Sequence, residues 1–281
     1  MPIQNVPEVF LNQDTPKPEI LVYDFKMSND VFKTKVNLSQ HMFSFLQNGR
    51  KEIHFADSSV MVDMGQSLLV KKGNWLWSEM LVENSDLYYC KLLFFSDKQL
   101  RNFLDKTCIK KRPSRRSEAY FIIENDLYIH SYLNSLSAIN SSATTRAHDM
   151  NSVKLEELLL YLLNKYDKKF EDYLFSLISP HTSDFSRVIE QNIFANLKIE
   201  ELAFLCHMSL STFKRHFFNE YGVAPGKYFQ DQRLQRAKAI LEEGKLKSTD
   251  IYLDFGYKNL SNFSAAFKKK FGYSPNQLKK P

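Results

Sequence analysis

The chain is poor in the features that mark secreted, membrane-spanning or metal-binding proteins. Its three cysteines, Cys90, Cys108 and Cys206, lie far apart and form no Cys-x-x-Cys or Cys/His spacing, so neither a disulfide framework nor a zinc site is indicated. The longest apolar run, 158–163, is far shorter than the roughly 20 residues that cross a bilayer. The first nineteen residues lack the basic start and apolar core of a signal peptide. We therefore expect a cytoplasmic protein with reduced thiols and no membrane association.

The composition excludes a disordered chain and locates the excess charge. Of the 281 residues, 43% are apolar and 14% aromatic, which suffices for packed cores. The net charge is +6, and residues 183–281 hold 16 lysines and arginines against 10 acidic residues, whereas residues 1–182 hold 22 of each. This asymmetry predicts that the C-terminal part binds a polyanion, with a solvated basic surface as the alternative.

One segment of the C-terminal part occurs twice. Four of its residues recur fifty positions later, with Phe213, Phe217, Gly222 and Pro225 matching Phe263, Phe267, Gly272 and Pro275. In each copy the two phenylalanines share one helical face, and the glycine can end the helix in a left-handed conformation. Ser209 and Asn259 are the predicted N-caps of the two helices.

A shorter helix is predicted before each copy, at 198–206 and at 248–256. A short helix, a tight turn and a longer basic helix are typical of a helix-turn-helix unit, whose second helix enters a major groove. The second turn is one residue longer than the first and contains Gly256 where the first has His207.

The residues between the two units are predicted to form one connecting helix. Its apolar positions keep helical spacing up to Gly244 over about eighteen residues, or roughly 27 Å. Such a helix could hold two recognition helices, at about 210–220 and 260–270, near one DNA turn of about 34 Å apart. One chain could then occupy two successive major grooves.

These segments resemble the AraC/XylS family of transcription regulators. The matching stretches are LAFLCHMSLSTFKRHFFNEYGVAP, RLQRAKAIL and DFGYKNLSNFSAAFKKKFGYSP, within residues 183–279. The resemblance implies a seven-helix domain that binds double-stranded promoter DNA, and RNA polymerase as a partner. It also implies the positions that face the bases, which are Leu210, Ser211, Lys214 and Arg215 in the first unit and Leu260, Ser261, Ser264 and Ala265 in the second. Arg215 is suited to pair bidentately with a guanine, and Lys214 to reach a base edge or a phosphate.

The second unit departs from the family pattern at two positions. Ala265 stands where an arginine is common, and Tyr252 stands where a small alanine lets two helices approach closely. We therefore expect the second unit to contribute mainly phosphate contacts, through Lys268, Lys269 and Asn259.

Residues 1–178 are predicted to form a separate domain, followed by the DNA-binding domain at 179–281. From Glu19 to Phe95 about seven β-rich runs alternate with turn signals, of which Asn48-Gly49 is the strongest hairpin signal. Such closely spaced strands favour a small antiparallel barrel or sandwich, and the resemblance implies a cupin-like barrel. The predicted fold is thus an α+β domain, an antiparallel cupin-like β-barrel plus helices, followed by an all-α domain with two helix-turn-helix motifs joined by a long helix.

The N-terminal domain offers no catalytic constellation. His41 and His54 lack the neighbouring histidine and carboxylate of a cupin metal site, so we expect no metal, no cofactor and no enzyme. Trp75 and Trp77 share a strand face and could line a ligand cavity with Tyr88, packed core being the alternative. A cupin-type receptor or metal enzyme with an incidental basic tail is the alternative function.

A leucine-rich helix is predicted within VKLEELLLYLLNKY, where it could cover the barrel core or pair two chains. Its apolar stripe consists of Leu155, Leu158, Leu159, Leu162 and Leu163. Together with the charge-neutral barrel and the segment SDFSRVIEQ, this helix resembles the type III secretion activators of the family. The resemblance implies an N-terminal domain that mediates self-association, as in a homodimer, and contacts regulatory proteins instead of a small molecule. A small-molecule effector stays open as the alternative to a protein effector. The basic run 110–116 could contact DNA or an acidic partner, or be a solvated loop.

Overall fold

The computed structural model describes residues 2–12, 16–83, 85–107, 109, 118–141, 147–179 and 185–278. The chain divides into two compact units, residues 1–182 and 183–281. Within the described ranges no helix is long and apolar enough to cross a membrane. The basic run 110–116 lies outside the described residues.

The described residues of the first unit form two five-stranded sheets. The strands are β1 (Gln4–Val6), β2 (Ile20–Met27), β3 (Val31–Leu38), β4 (His41–Asn48), β5 (Arg50–His54), β6 (Ser59–Val62), β7 (Gln66–Val70), β8 (Gly73–Met80), β9 (Tyr88–Phe95) and β10 (Tyr120–Glu124). One sheet has the order β1-β3-β8-β5-β6 and the other β10-β7-β4-β9-β2. Only the pairing of β1 with β3 is parallel among the described strands. The α+β class is confirmed, and these strands form two sheets with no closed barrel.

Three helices cover the second sheet. They are α1 (Asp97–Lys106), α2 (Leu127–Ser141) and α3 (Ala147–Leu177), the last kinked at Asp167. The helices and the sheet share one hydrophobic core, which contains Phe43, Phe45 and Phe95 from the strands. Alternate residues of β4 and β9 point into this core, as expected for a sheet with a helix-covered face.

The stripe proposed as a face for pairing two chains lies inside this core. Leu155, Leu158, Leu159 and Leu162 are buried against α2 and the sheet, and Leu163 packs against the same core while half-buried. The stripe therefore covers the sheet, the first of its two predicted roles. As placed here, the four buried leucines cannot contact a second chain.

The three residues considered for a ligand cavity are also buried. Trp75 and Tyr88 are fully buried and Trp77 nearly so. The indole of Trp75 donates to the carbonyl oxygen of Lys71 at 2.8 Å, and the ammonium of Lys51 lies 4.4 Å from the Trp77 ring centre and 6.0 Å from that of Tyr88. These contacts favour packed core for the three aromatic residues.

The hairpin predicted at Asn48-Gly49 is wrong. It joins β4 to β5, but β4 pairs with β7 and β9 whereas β5 pairs with β6 and β8 in the other sheet. The side chain of Asn48 donates to the carbonyl of Leu87 at 2.8 Å. A Cβ on Gly49, whose φ is 110°, would lie only 2.4 Å from the Tyr88 ring. The glycine is thus needed where the chain crosses between sheets past a buried tyrosine.

In the second unit all secondary structure of residues 185–278 is helical. Its helices are α4 (Phe185–Gln191), α5 (Ile199–Leu205), α6 (Leu210–Tyr221), α7 (Pro225–Glu242), α8 (Ser248–Ile251) and α9 (Leu260–Phe271), followed by a 3₁₀ turn at Pro275–Gln277. The all-α prediction with two helix-turn-helix units and a long connecting helix is confirmed. Helix α8 ends earlier than predicted, because the residues after Ile251 form turns.

Candidate nucleic-acid interface

Helix α6 has defined ends. The hydroxyl of Ser209 accepts a hydrogen bond from the backbone N–H of Thr212 at 3.2 Å. At the other end Gly222 is left-handed, with φ of 69°, and its N–H donates to the carbonyl of Phe218 at 2.9 Å. The predicted cap and stop are therefore confirmed, and a cap of this kind contributes about 1 kcal/mol.

One face of α6 is fixed in the core. Phe213 and Phe217 are fully buried. The ring centre of Phe213 lies 5.5 Å from that of Phe185 in α4. The ring centre of Phe217 lies 5.9 Å from that of Phe229 in α7. Because two aromatic anchors one turn apart fix the rotation of the helix, they also fix which residues point outward.

The outward face of α6 carries the residues predicted to read bases. Ser211, Lys214 and Arg215 are exposed, and Leu210 is half-buried at the start of the helix. In the described part of the chain neither Lys214 nor Arg215 forms an ion pair, whereas the neighbouring His216 lies 3.5 Å from Glu220. Two long cations without acidic partners are available for an external anion.

Helix α9 repeats this construction. The side-chain oxygen of Asn259 accepts from the backbone N–H of Asn262 at 2.8 Å, and Gly272 ends the helix with φ of 84°. Phe263 and Phe267 are fully buried in a core that also contains Leu234, Ala237, Ile251 and Phe255. The Asn259 oxygen accepts this capping bond, and its amide nitrogen is the side-chain group that can donate to a phosphate.

The outward face of α9 differs from that of α6. Ser261, Lys268 and Lys269 are exposed, while Leu260 and Ser264 are half-buried. No ion pair to Lys268 or Lys269 occurs among the described residues. By contrast, the next lysine, Lys270, pairs with Asp231 at 2.9 Å. The available cations of α9 therefore lie in its last turn.

Helix α7 connects the two helix-turn-helix units. It spans 18 residues, about 27 Å, and packs against both recognition helices through Phe229 and Leu234. Arg233 of α7 donates from its side chain to the carbonyl of Ile193 at 3.0 Å. The amide of Asn196 donates to the carbonyl of Asp254 at 3.3 Å. The bond from Asn196 to Asp254 therefore joins the two helix-turn-helix units in addition to the connecting helix.

Sequence reasoning missed several of these residues. Arg233 and Asn196 have no local pattern that signals a contact between units. Phe218 sits in an aromatic stretch that by itself suggests core packing, yet 56% of it is exposed. The signal for Phe218 was the repeat, since the residue fifty positions later is the exposed Lys268.

His41 of the first unit has a structural role. His41 is buried, its Nε2 lies 3.0 Å from Asp97, and its Nδ1 accepts from the backbone N–H of Lys72 at 3.3 Å. Burial lowers the pKa of His41, and the hydrogen bond from His41 lowers the pKa of Asp97. This arrangement links β4, the turn after β7 and the start of α1. In the described ranges no three His, Cys, Asp or Glu side chains are grouped to hold a metal.

Comparison with known proteins identifies both parts of the chain. Residues 41–173 match the family model of the ExsA N-terminal regulatory domain, and residues 202–281 match a helix-turn-helix domain. The virulence regulon transcriptional activator VirF of Yersinia enterocolitica is 28% identical over 131 residues, which are 46% of this chain and 48% of VirF. The regulator ExsA of Pseudomonas aeruginosa is 25% identical over 126 residues, 44% of this chain and 45% of ExsA.

The chain spans about half the length of these curated relatives in the matched regions. Among solved structures, ToxT from Vibrio cholerae superimposes with a TM-score of 0.44 at 14% identity, covering 93% of this chain and 97% of that chain. With an ExsA-type regulatory domain in its first unit and an AraC-type helix-turn-helix domain in its second, the chain belongs to the AraC/XylS family of transcriptional regulators.

Proposed function

We propose that this chain is a sequence-specific DNA-binding regulator that activates transcription. The observation that carries the proposal is the pair of capped helices, α6 and α9, each with a buried aromatic face and an outward polar or cationic face. Both are anchored on α7, whose length of about 27 Å suits two grooves one DNA turn apart. The names of VirF as an activator and of ExsA as a regulator support the same function.

The two recognition helices have different tasks in this proposal. In α6, Arg215 pairs with a guanine, Lys214 reaches a base edge or phosphate, and Ser211 adds a hydrogen bond. In α9, the exposed Lys268 and Lys269 neutralise phosphates, which position the protein without reading sequence. Sequence discrimination therefore comes mainly from α6.

The first unit is proposed to receive the signal, from a small molecule or from a protein, and to pair two chains. The buried leucines of α3 mean that a pairing surface has to use other residues. RNA polymerase is the proposed partner at the promoter, since an activator acts by contact with it. Light scattering on the purified chain, with and without DNA, measures whether two chains associate.

In vitro selection from random duplexes, followed by titration of the selected site, tests the DNA-binding function. The full chain is expected to enrich one motif and to bind it with an affinity that falls steeply with salt. Arg215→Ala should weaken binding to the selected site about 5- to 150-fold, with little change on random duplex. Failure to bind any duplex at low salt, or selection without an enriched motif, would contradict the proposal.

Glu243→Ala serves as the matched control for this titration. Glu243 is exposed beyond the end of α7 and lies on neither recognition helix. Its replacement is expected to leave discrimination between the selected and the random duplex unchanged. If Arg215→Ala weakens both duplexes equally, Arg215 contacts phosphate and does not read a base.

A further inference from the structure

Phe218 lies on the same outward face of α6 as the residues proposed to read bases. It follows Ser211 by seven positions, Lys214 by four and Arg215 by three, which are the spacings of one helical face. Its exposed fraction of 56% contrasts with Phe213 and Phe217, which are fully buried. A large apolar ring thus stands in the middle of a polar and cationic surface.

The fold itself gives no reason for an aromatic residue at this position. Ring pairs link Phe217 to Tyr221 and Tyr228, but among the described residues no ring pairs with Phe218. Its backbone carbonyl accepts from Gly222 at the end of the helix, a contact that does not depend on the type of side chain. The equivalent position of the second helix-turn-helix unit holds the exposed Lys268, so the same helix geometry accepts a charged side chain.

The major groove contains one apolar group that a phenyl ring can contact, the C5-methyl group of thymine. Phe218 lies three residues beyond Arg215 along α6, a rise of about 4.5 Å. Successive bases are separated by about 3.4 Å along one strand. The ring therefore reaches a base roughly one step from the one that Arg215 contacts.

We propose that Phe218 is a specificity-determining residue that packs on the methyl group of a thymine next to the base read by Arg215. This inference rests on the proposed function and adds a base preference that hydrogen-bonding residues cannot supply. It also explains the difference between the two recognition helices: α6 has an apolar residue that contacts a base where α9 has a lysine that binds a phosphate.

Thymine-to-uracil substitution in the selected duplex tests this role. Uracil lacks only the methyl group and keeps every base-pairing atom, so each thymine is replaced singly and the dissociation constant measured for the full chain. At one position, replacing thymine by uracil is expected to weaken binding about fourfold, which is the effect of returning one buried methyl group to water. This position should lie next to the guanine that Arg215 contacts, which is the base whose replacement no longer weakens binding of the Arg215→Ala chain. With Phe218→Ala, the thymine and uracil duplexes should bind equally at that position.

Two further variants make the result specific. Phe194→Ala removes an equally exposed ring outside α6, since Phe194 is 54% exposed, and should keep the fourfold preference. Phe218→Leu keeps an apolar contact and should retain part of it. The inference is overturned if no uracil substitution weakens binding, or if Phe218→Ala keeps the same preference as the original chain. Absence of duplex binding by the original chain would instead overturn the proposed function.

Discussion

His207 and Gly256 occupy the same position in the two helix-turn-helix units, and both are left-handed, with φ of 55° and 80°. In both turns the N–H of the following residue donates to a carbonyl five residues back, from Met208 to Ala203 at 2.9 Å and from Tyr257 to Tyr252 at 3.1 Å. The extra residue of the second turn therefore enters after this point, at Lys258. The same turn thus has glycine in the second unit and His207 in the first, and a left-handed backbone is unfavourable for a residue that has a Cβ.

Gly256→Ala is expected to destabilise the second unit more than Gly222→Ala. Both changes place a Cβ on a left-handed backbone, but at Gly256 it would lie 2.8 Å from Asn196 Oδ1 and 3.2 Å from Arg233 Nη1. At Gly222, with φ of 69°, nothing lies within 4 Å of the new atom. The crowding should add about 1–3 kcal/mol.

Hydrogen exchange of peptides from 185–278, followed by mass spectrometry, reports the stability of the second unit in the full chain. Gly256→Ala should accelerate exchange in both helix-turn-helix units, because Asn196 and Arg233 link them. Equal acceleration in the two variants would show that the backbone conformation, and not the crowding, sets the cost.

His207→Gly is expected to stabilise the second unit. A left-handed backbone costs a non-glycine residue about 1–2 kcal/mol. Glycine removes this cost but lowers the stability by about 0.4–1 kcal/mol, because it raises the conformational entropy of the unfolded chain. The net gain should be about 0.5–1 kcal/mol, measured by the same exchange experiment. His207→Ala, which also loses the ring but keeps the strained backbone, is the control and should give no gain. A matching gain with alanine would contradict the role of φ.

The sequence predicts the second unit better than the first because its signals are local. Caps at Ser209 and Asn259 and stops at Gly222 and Gly272 act within one helical turn, so their pattern is visible in the chain. The link between Arg233 and Ile193 joins residues 40 positions apart. Such a contact depends on tertiary packing, which no local pattern encodes.

The first unit illustrates the opposite case. Asn48-Gly49 has hairpin chemistry, but the pairing of β4 with β9 in one sheet and of β5 with β8 in the other overrides it. Strand β3 is not among the predicted runs, because in VFKTKVNL the apolar residues alternate with polar ones that include Lys33 and Lys35. Which partner a strand selects is decided by contacts distant in sequence.

Glu79→Gln is expected to destabilise the first unit by about 3–5 kcal/mol, since it leaves a buried charge without its partner. The ammonium of Lys51 is fully buried and donates to the carboxylate of Glu79 at 2.6 Å. The double variant Lys51→Met with Glu79→Gln should lose less than the sum of the two single changes. Urea unfolding followed by tryptophan fluorescence measures this, because Trp75 and Trp77 are the chain's two tryptophans and both lie in this unit. Additive losses would contradict a coupled pair.

Replacing Lys71 is expected to change how the stability of the first unit depends on pH. Its ammonium donates to the carbonyls of Ser176 at 2.6 Å and Ser179 at 2.9 Å. Burial, assisted by the charge of Lys72, lowers the pKa of Lys71 from 10.5 to about 8. Between these values the unfolded chain binds more protons at this residue than the folded chain, so its contribution to stability rises with pH.

The measurement compares urea unfolding of the original chain and of Lys71→Met from pH 7 to pH 10. The unfolding free energy of the original chain, minus that of Lys71→Met, should increase as the pH rises above about 8. Lys98→Met, at a side chain that is 71% exposed, is the control and should show no such shift. A pH-independent difference for Lys71→Met would show that the folded chain holds this lysine at its ordinary pKa.

The double variant Lys268→Ala with Lys269→Ala is expected to weaken DNA binding equally on selected and random duplexes. If each lysine neutralises one phosphate, the slope of log affinity against log salt should become shallower by about 2. Lys270→Ala is the matched control from the same turn, and its slope should change less because Lys270 pairs with Asp231 at 2.9 Å. A loss confined to the selected duplex would instead mean that α9 reads bases through these lysines, and the division of tasks between the two helices would be wrong.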